Sequence, residues 1–284
     1  KEKQLERLLS KYRSNDGSYD VLVPGSGGKD SAYAAHVLKY KYKMNPLTIT
    51  WAPHLYTDIG WENFQNWMHE GGLDNILYTP NGKLHRKMTK NAFHNLMHPY
   101  QPFIIGQKMI GPSMVLKFGI QLVMYGENQA EDGNAISDNE IETMSPDFFS
   151  IENKFDMRFG DVSMQEYIDK DGFSESDFNA YTPPNPKDLI DAGVTTHFLG
   201  YYLKWDPQEN YYYATENTGF KSNTERTEGS STKYSGIDDK IESFHYFTLL
   251  TKFGIGRCTY DNATEIRNHQ VNRDEGVYLV KKYD

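Results

Sequence analysis

Apolar positions open the chain at a helical spacing. Leu5, Leu8, Leu9 and Tyr12 recur about one turn apart, which predicts a helix over 1–12. The period then shortens. The run Val21–Val23 predicts a buried strand within 19–24, followed by a helix over 30–43. Leu47–Ala52 reads as a second strand, 58–70 as a helix ended by Gly71-Gly72, and Asn75–Tyr78 as a third strand. Helices over 84–97 and 113–118 precede a fourth strand over 121–125. This alternation predicts an α/β fold with a parallel sheet and helices on both faces. Ligands of such sheets sit beyond the C-terminal strand ends. Gly25–Ser31, Ala52–Asp58 with Pro53, Thr79–Gly82 and Gly126–Asn128 should therefore gather at one edge.

Beyond residue 130 the rhythm is lost. Phe148, Phe149, Phe155, Phe159, Tyr167, Phe173 and Phe178 keep 130–192 apolar enough to pack as an insertion of short helices and loops. Thr195–Tyr202 returns as a strand, 205–236 is polar and loop-rich, and 237–253 reads as a helix. Asn272-Arg-Asp-Glu275 has the form of a capping box and opens a last helix through Lys282.

Charge sharpens this division. The 284 residues carry a net charge of −9. Residues 131–191 hold 16 acidic against 4 basic side chains, a net −12, which leaves +3 for the rest. An acidic chain argues against nucleic acid as a partner, which needs a basic footprint. The single Cys258 excludes an internal disulfide and a cysteine-cluster metal site, and suits a reducing cytoplasm. No apolar run approaches the roughly 18 residues of a membrane span, so no membrane contact is expected.

The chemistry concentrates in Tyr19–Ser31. A strand, a turn with Gly25, Gly27 and Gly28, and a helix N-terminus together form an anion site, because backbone N–H groups and the helix dipole both favour negative charge there. A Walker A loop needs Lys followed directly by Ser or Thr, and here Asp30 separates Lys29 from Ser31. A dinucleotide fingerprint needs a third glycine where Asp30 stands. The remaining pattern, Ser26-Gly27-Gly28-Lys29-Asp30-Ser31, resembles the SGGxDS loop of the PP-loop ATP pyrophosphatases. That resemblance implies an adenine nucleotide alpha hydrolase-like, Rossmann-like fold. It divides the chain into an ATP-binding core over 1–129, an acidic insertion serving substrate or partner over 130–192, and a completion of the core sheet with C-terminal helices over 193–284.

A narrower resemblance follows from segments in order along the chain. These are Val23–Ser31, Tyr125–Asn128, Phe198–Gln208, Glu225–Gly229, Asp238–Lys240, Lys252–Arg257 and Arg273–Gly276. Together they are similar to the N-acetyl sugar amidotransferases of surface-polysaccharide and pseudaminic-type nonulosonic acid biosynthesis. Two departures stand out. The cysteine-rich, zinc-binding N-terminal segment usual in that family is missing from these residues, as in a truncated or shorter member. Gly25 stands where a side chain such as Val is common.

The resemblance implies a reaction. An acetamido group of an N-acetylated sugar, expected in nucleotide-linked form, becomes an acetamidino group. ATP activates the amide oxygen as an O-adenylyl imidate with loss of pyrophosphate, ammonia attacks, and AMP leaves. ATP and Mg²⁺ are the implied cofactors. Ser26, Gly27, Gly28, Lys29, Asp30 and Ser31 would hold the phosphates, with Pro53, Gly126 and Asn128 nearby. Lys29, Asp30 and Glu127 are the catalytic candidates, and Asp30 is also the candidate for Mg²⁺, a hard cation that prefers carboxylate and phosphate oxygen. Arg226, Asp238, Asp239 and Arg257 are substrate candidates. The Tyr201-Tyr202 and Tyr211–Tyr213 runs suit either ring stacking or alternating strand burial.

Cys258 sits in no nucleophile motif, so ammonia is expected from a separate glutaminase subunit of the histidine-biosynthesis type, with a cyclase-like subunit as a further partner. A tRNA thiolase or lysidine synthetase of the same superfamily, and a non-catalytic ATP-binding scaffold, are the competing readings.

Overall fold

The computed structural model describes residues 1–127 and 140–284. Its elements begin with α1 (Glu2–Tyr12), β1 (Val21–Pro24), α2 (Lys29–His36), β2 (Pro46–Trp51), α3 (Asp58–His69) and β3 (Asp74–Tyr78). There follow α4 (Gly82–Leu96), α5 (Gln101–Phe118), β4 (Leu122–Tyr125), β5 (Thr143–Met144), β6 (Arg158–Phe159) and β7 (Val162–Ser163). The last are α6 (Met164–Asp171), α7 (Pro186–Asp191), β8 (Thr195–Phe198), α8 (Leu199–Tyr202), α9 (Pro207–Thr218), α10 (Glu242–Phe253), α11 (Arg257–Arg267) and α12 (Arg273–Tyr283).

Six strands form one sheet in the order β3-β2-β1-β4-β8-β5. All neighbours are parallel except β5, which pairs antiparallel with β8 through Thr143 and His197. The expected α/β fold is present, with one antiparallel edge strand added. Alternate residues feed two cores. Val21 and Val23 of β1 and Leu122 and Met124 of β4 pack with α1, α2, α3 and α9. Leu22 and Val123 face the other way, with Leu47, Ile49 and Trp51 of β2, against α4 and α5. This strict in–out alternation is the period-two rule of a strand buried on both faces.

The chain runs outward from β1 to β2 and β3, then returns to place β4 on the other side of β1. The ends of β1 and β4 therefore diverge, and a crevice opens between them.

Three sequence expectations change. Helix α5 spans 18 residues and not six, because Pro102 lies in its first turn, where a missing N–H costs nothing, and Met109, Ile110 and Val115 bury its body around the interior Pro112. The strand from Thr195 stops at Phe198 and turns into α8. The polar stretch after 205 contains helix α9, capped by the Asp206 carboxylate, which accepts from the Gln208 and Glu209 amides, with Pro207 in the first turn. Tyr201, Tyr202 and Tyr211–Tyr213 consequently sit on helices.

In the described residues 140–192 several of the expected aromatics are buried, whereas Phe148 is half exposed. Phe159, Tyr167, Phe178 and Tyr181 are fully buried in the same core as Leu84 and Met88 of α4. Gly160 has φ +63°, and a Cβ there would lie 2.3 Å from the Ala92 amide nitrogen of α4. Gly160→Ala should therefore lower stability by about 1–3 kcal/mol or more, through left-handed strain and a backbone clash. A chemical denaturation midpoint equal to wild type would show that the insertion is not held against α4 in this way.

Candidate active site

The phosphate loop is built by β1 and α2. Gly25 N–H still donates to the Ile49 carbonyl at 2.9 Å, and the chain then leaves the sheet. Gly28 is the N-cap residue of α2, and no side chain caps that end, so its amides remain available to an anion. Ser31 Oγ accepts from Gly27 N–H at 3.1 Å and donates to the Gly28 carbonyl at 3.0 Å, which fixes the turn. Gly27 has φ +85°, and a Cβ there would lie 2.8 Å from Phe64 Cα on α3. At Gly25 a Cβ would meet Ser31 Cβ at 2.4 Å, so a side chain has no room here.

Lys29 is buried, with Nζ 2.5 Å from Asp30 Oδ2 and 5.6 Å from the Tyr234 ring centre. Asp30 Oδ1 accepts from Asn210 Nδ2 of α9 at 2.9 Å. Helix α9, missed in the sequence, thus holds the carboxylate that pairs with the loop lysine.

The loop opens on a cavity of about 380 Å³, within the range of small-molecule sites. Ser26–Ser31, Pro53, Gly126 and Glu127 line one part of it. Asn128 lies outside the described residues. The rest of its lining comes from the chain after Tyr234, from α10 and from the start of α11, with Asp238, Glu242, Tyr246 and Arg257.

This part of the lining is acidic and under electrostatic stress. Burial raises the pKa of Asp238, a shift that a hydrogen bond with Ser26 of the loop only partly opposes. Burial and then the neighbouring Asp238 push Glu242 up to about 7, against the pull of Arg257. Arg257 donates to Glu242 Oε1 at 3.0 Å and Asp261 Oδ1 at 3.1 Å and lies 4.0 Å over the Tyr246 ring.

Asp239 also borders the cavity, but its oxygens are committed. They accept from the His54 amide at 2.7 Å, the Leu55 amide at 3.3 Å, the Ile241 amide at 2.9 Å and His54 Nδ1 at 2.9 Å. Burial alone would raise its pKa, and these bonds, led by His54, hold it below the usual range. Arg226 is not among the residues lining the cavity. Its guanidinium bonds the Tyr283 hydroxyl and lies 5.0 Å over that ring. The tyrosine runs hold structure together: Tyr213 bonds His36, Tyr202 bonds His197, and Tyr211 stacks on Tyr234.

Sequence reasoning missed Glu242, Tyr234, Tyr246 and His54. Glu242 is the first residue of α10, and Asp238 lies in the irregular chain before it, so the fold and not a helical spacing brings the two acids together. Nothing local marks His54. Cys258 is fully buried, with its thiol pKa raised by burial, as an inert cysteine would be.

Magnesium brought with ATP takes one or two protein carboxylates and completes its shell with phosphate and water. Asp30 and Asp238 border the cavity beside the loop, and to take magnesium Asp30 would have to share oxygens that already accept from Lys29 and Asn210. Among the described residues no group of three or more His, Cys, Asp or Glu could hold a metal by itself.

Comparison with known proteins adds one firm point. Residues 228–284 match the C-terminal domain model of LPS biosynthesis proteins of the WbpG-like type. The matched segment supplies Asp238, Glu242, Tyr246 and Arg257, which line the cavity with the phosphate loop. The match agrees with the resemblance to surface-polysaccharide enzymes drawn from the sequence. An uncharacterized protein of Methanocaldococcus jannaschii, MJ1599, is 40% identical over 47 residues, 16% of this chain and 17% of its own length.

Among solved structures, an NH3-dependent NAD synthetase from Campylobacter jejuni is 16% identical, covers 45% of this chain and 54% of its own, and has a TM-score of 0.36. A predicted subunit of a tRNA methyltransferase from Methanocaldococcus jannaschii is 15% identical, covers 83% of this chain and 88% of its own, and also has a TM-score of 0.36. Likenesses this distant carry no argument about activity. No helix among the described residues is long and apolar enough to cross a membrane.

The loop's close fit makes a direct test. Gly27→Ala must push Phe64 backbone aside and strain a left-handed turn. ATP affinity measured by calorimetry should fall at least about tenfold, since about 1.4 kcal/mol is a factor of ten. Unchanged affinity would mean the loop does not carry the nucleotide.

Proposed function

We propose that this protein is an ATP-dependent amidotransferase that converts the acetamido group of an N-acetylated sugar, nucleotide-linked in the favoured form, to an acetamidino group. The observation that carries the reading is the phosphate loop with buried Lys29, opening on a cavity lined also by the segment that matches the WbpG-like domain. That domain's association with LPS biosynthesis supports a sugar substrate.

An amide oxygen is a poor leaving group, and transfer of AMP to it cures that. The α2 N-terminus receives the leaving pyrophosphate, with the Gly27 and Gly28 amides held in the turn by Ser31 and Ser26, and Lys29 neutralises its growing charge. Asp30 and Asp238 would hold Mg²⁺, which supplies further neutralisation at the phosphates. Ammonia then adds to the imidate carbon, and AMP departs with its oxygen. Starting from ammonium, two protons are released, and the amidinium product keeps one positive charge. Asp238, Glu242 and Glu127 give that cation an acidic surround that the neutral amide lacks, which is the differential binding catalysis requires.

Ammonia is supplied by a histidine-biosynthesis-type glutaminase partner, with a cyclase-like subunit as a further member of the assembly. The acidic residues within 140–192 are the docking region proposed for that partner. The reaction is placed in the cytoplasm, where ATP and a reduced Cys258 are both at home.

Turnover should release AMP and pyrophosphate in equal amounts, read by chromatography. ADP as the main product would remove the mechanism. Lys29→Met should cut pyrophosphate release by roughly 100-fold or more with the fold intact, and near-normal release would take Lys29 out of its role.

The isolated chain should use ammonium salts and not glutamine. Cys258→Ala should leave ammonium-dependent turnover within about twofold, as expected for a buried structural cysteine whose sulfur accepts from Asn262 Nδ2 at 3.1 Å. Glutamine use by the purified chain, abolished by Cys258→Ala, would refute both the need for a partner and the inert reading of Cys258.

A further inference from the structure

A second cavity, of about 190 Å³, lies behind the phosphate loop. It shares Lys29, Asp30, Glu127, Ser235, Tyr246 and Arg257 with the first, so these side chains form the wall between them. It is too small for a sugar or nucleotide, whose sites run to roughly 300 Å³ and more. Its lining has acids Asp30, Glu127, Asp261 and Glu265 against bases Lys29 and Arg257, a balance that repels phosphate.

One group there has no internal explanation. Glu265 of α11 is only 8% exposed. Its Oε1 accepts from the Tyr234 hydroxyl at 3.0 Å, while the buried Oε2 has no hydrogen-bond partner. The Asp261 carboxylate, by contrast, accepts from Arg257 and Ser230. A buried carboxylate oxygen without a donor is costly. What it lacks is a small, positively charged hydrogen-bond donor. The rings of Trp205, Tyr246 and Tyr260 also line the cavity and favour a cation.

We propose that this cavity is an ammonium site, with Glu265 Oε2 as its acceptor and the Lys29–Tyr246 side as its outlet to the reacting carbon. The proposal rests on the amidotransferase reading. Ammonium is not a nucleophile until one N–H bond breaks. Glu265 takes that proton as an O–H bond forms, and neutral ammonia moves on. Burial raises the Glu265 pKa, the Tyr234 hydrogen bond opposes this, Asp206 and Asp261 raise it further, and Lys29 lowers it. A carboxyl so raised is a better proton acceptor than a free one.

Thallium(I), a heavy mimic of ammonium, provides a probe that needs no sugar. Crystals of the full chain soaked in thallium acetate should show an anomalous peak beside Glu265, and thallium NMR should report binding in solution. Ammonium acetate should displace it at concentrations at least tenfold below potassium acetate, because only ammonium donates hydrogen bonds. Glu265→Gln, which keeps the Tyr234 contact, should weaken binding at least tenfold, and Glu265→Asp should weaken it less. No peak, equal displacement by potassium, or full binding by Glu265→Gln would each overturn the site. AMP and pyrophosphate formation without thallium binding would sink the site and spare the function. Thallium binding with no nucleotide turnover on any acetamido sugar would do the reverse.

Discussion

One buried carboxylate decides whether the site has two walls. Asp239 gathers the amides of His54, Leu55 and Ile241 and the His54 ring onto its two oxygens. It thereby ties the turn after β2 to the start of α10, across more than 180 residues of chain. Hydrogen bonds to an ionised group contribute about 1.5–3 kcal/mol each. Here they must first offset the desolvation of a residue that is 4% exposed, and the lowered pKa shows that they do. With Asp239 anchored, Asp238 is delivered to Ser26 of the loop and Glu242, the first residue of α10, to the cavity. A neighbouring contact enforces the same approach. A Cβ on Gly60 of α3 would lie 2.5 Å from Asp238 Cα, so the backbone of this segment lies directly on the start of α3.

The phosphate loop could be read from sequence because its chemistry is local. Strand, turn and helix are consecutive, and the required residues fall within six positions. The sheet could be read for a related reason: alternating apolar runs and amphipathic stretches report burial on both faces without reference to distant partners. The rest of the lining could not be read that way. Asp238 and Asp239 are adjacent, chemically identical and both on the cavity lining, yet Asp238 lies against Ser26 of the loop while Asp239's oxygens are spent on backbone amides and the His54 ring. Only the fold distinguishes them, because the donors come from residues 54, 55 and 241. Arg226 and Arg257 divide similarly, one on the Tyr283 ring and the other inside the wall. Helix α9 was hidden by its polar composition, although Asp206 and Pro207 are a cap and first-turn pair that the stretch displayed openly.

The charge of the site carries a further implication. A pocket for ATP is expected to be basic, and here the free cations are scarce. Lys29 is paired with Asp30, and Arg257 with Glu242 and Asp261. Several carboxyls are instead held with raised pKa by burial and by one another. Such groups are poised to shed protons when a cation arrives, because a positive charge at close range lowers a carboxyl pKa. The proposed amidotransferase chemistry would bring three cations in succession: magnesium with the nucleotide, ammonium as nitrogen source, and the amidinium product. A simple ATP-binding scaffold would need only the first. The excess of strained acid around Lys29 is therefore better matched to a reaction that turns a neutral amide into a positive amidine than to nucleotide binding alone.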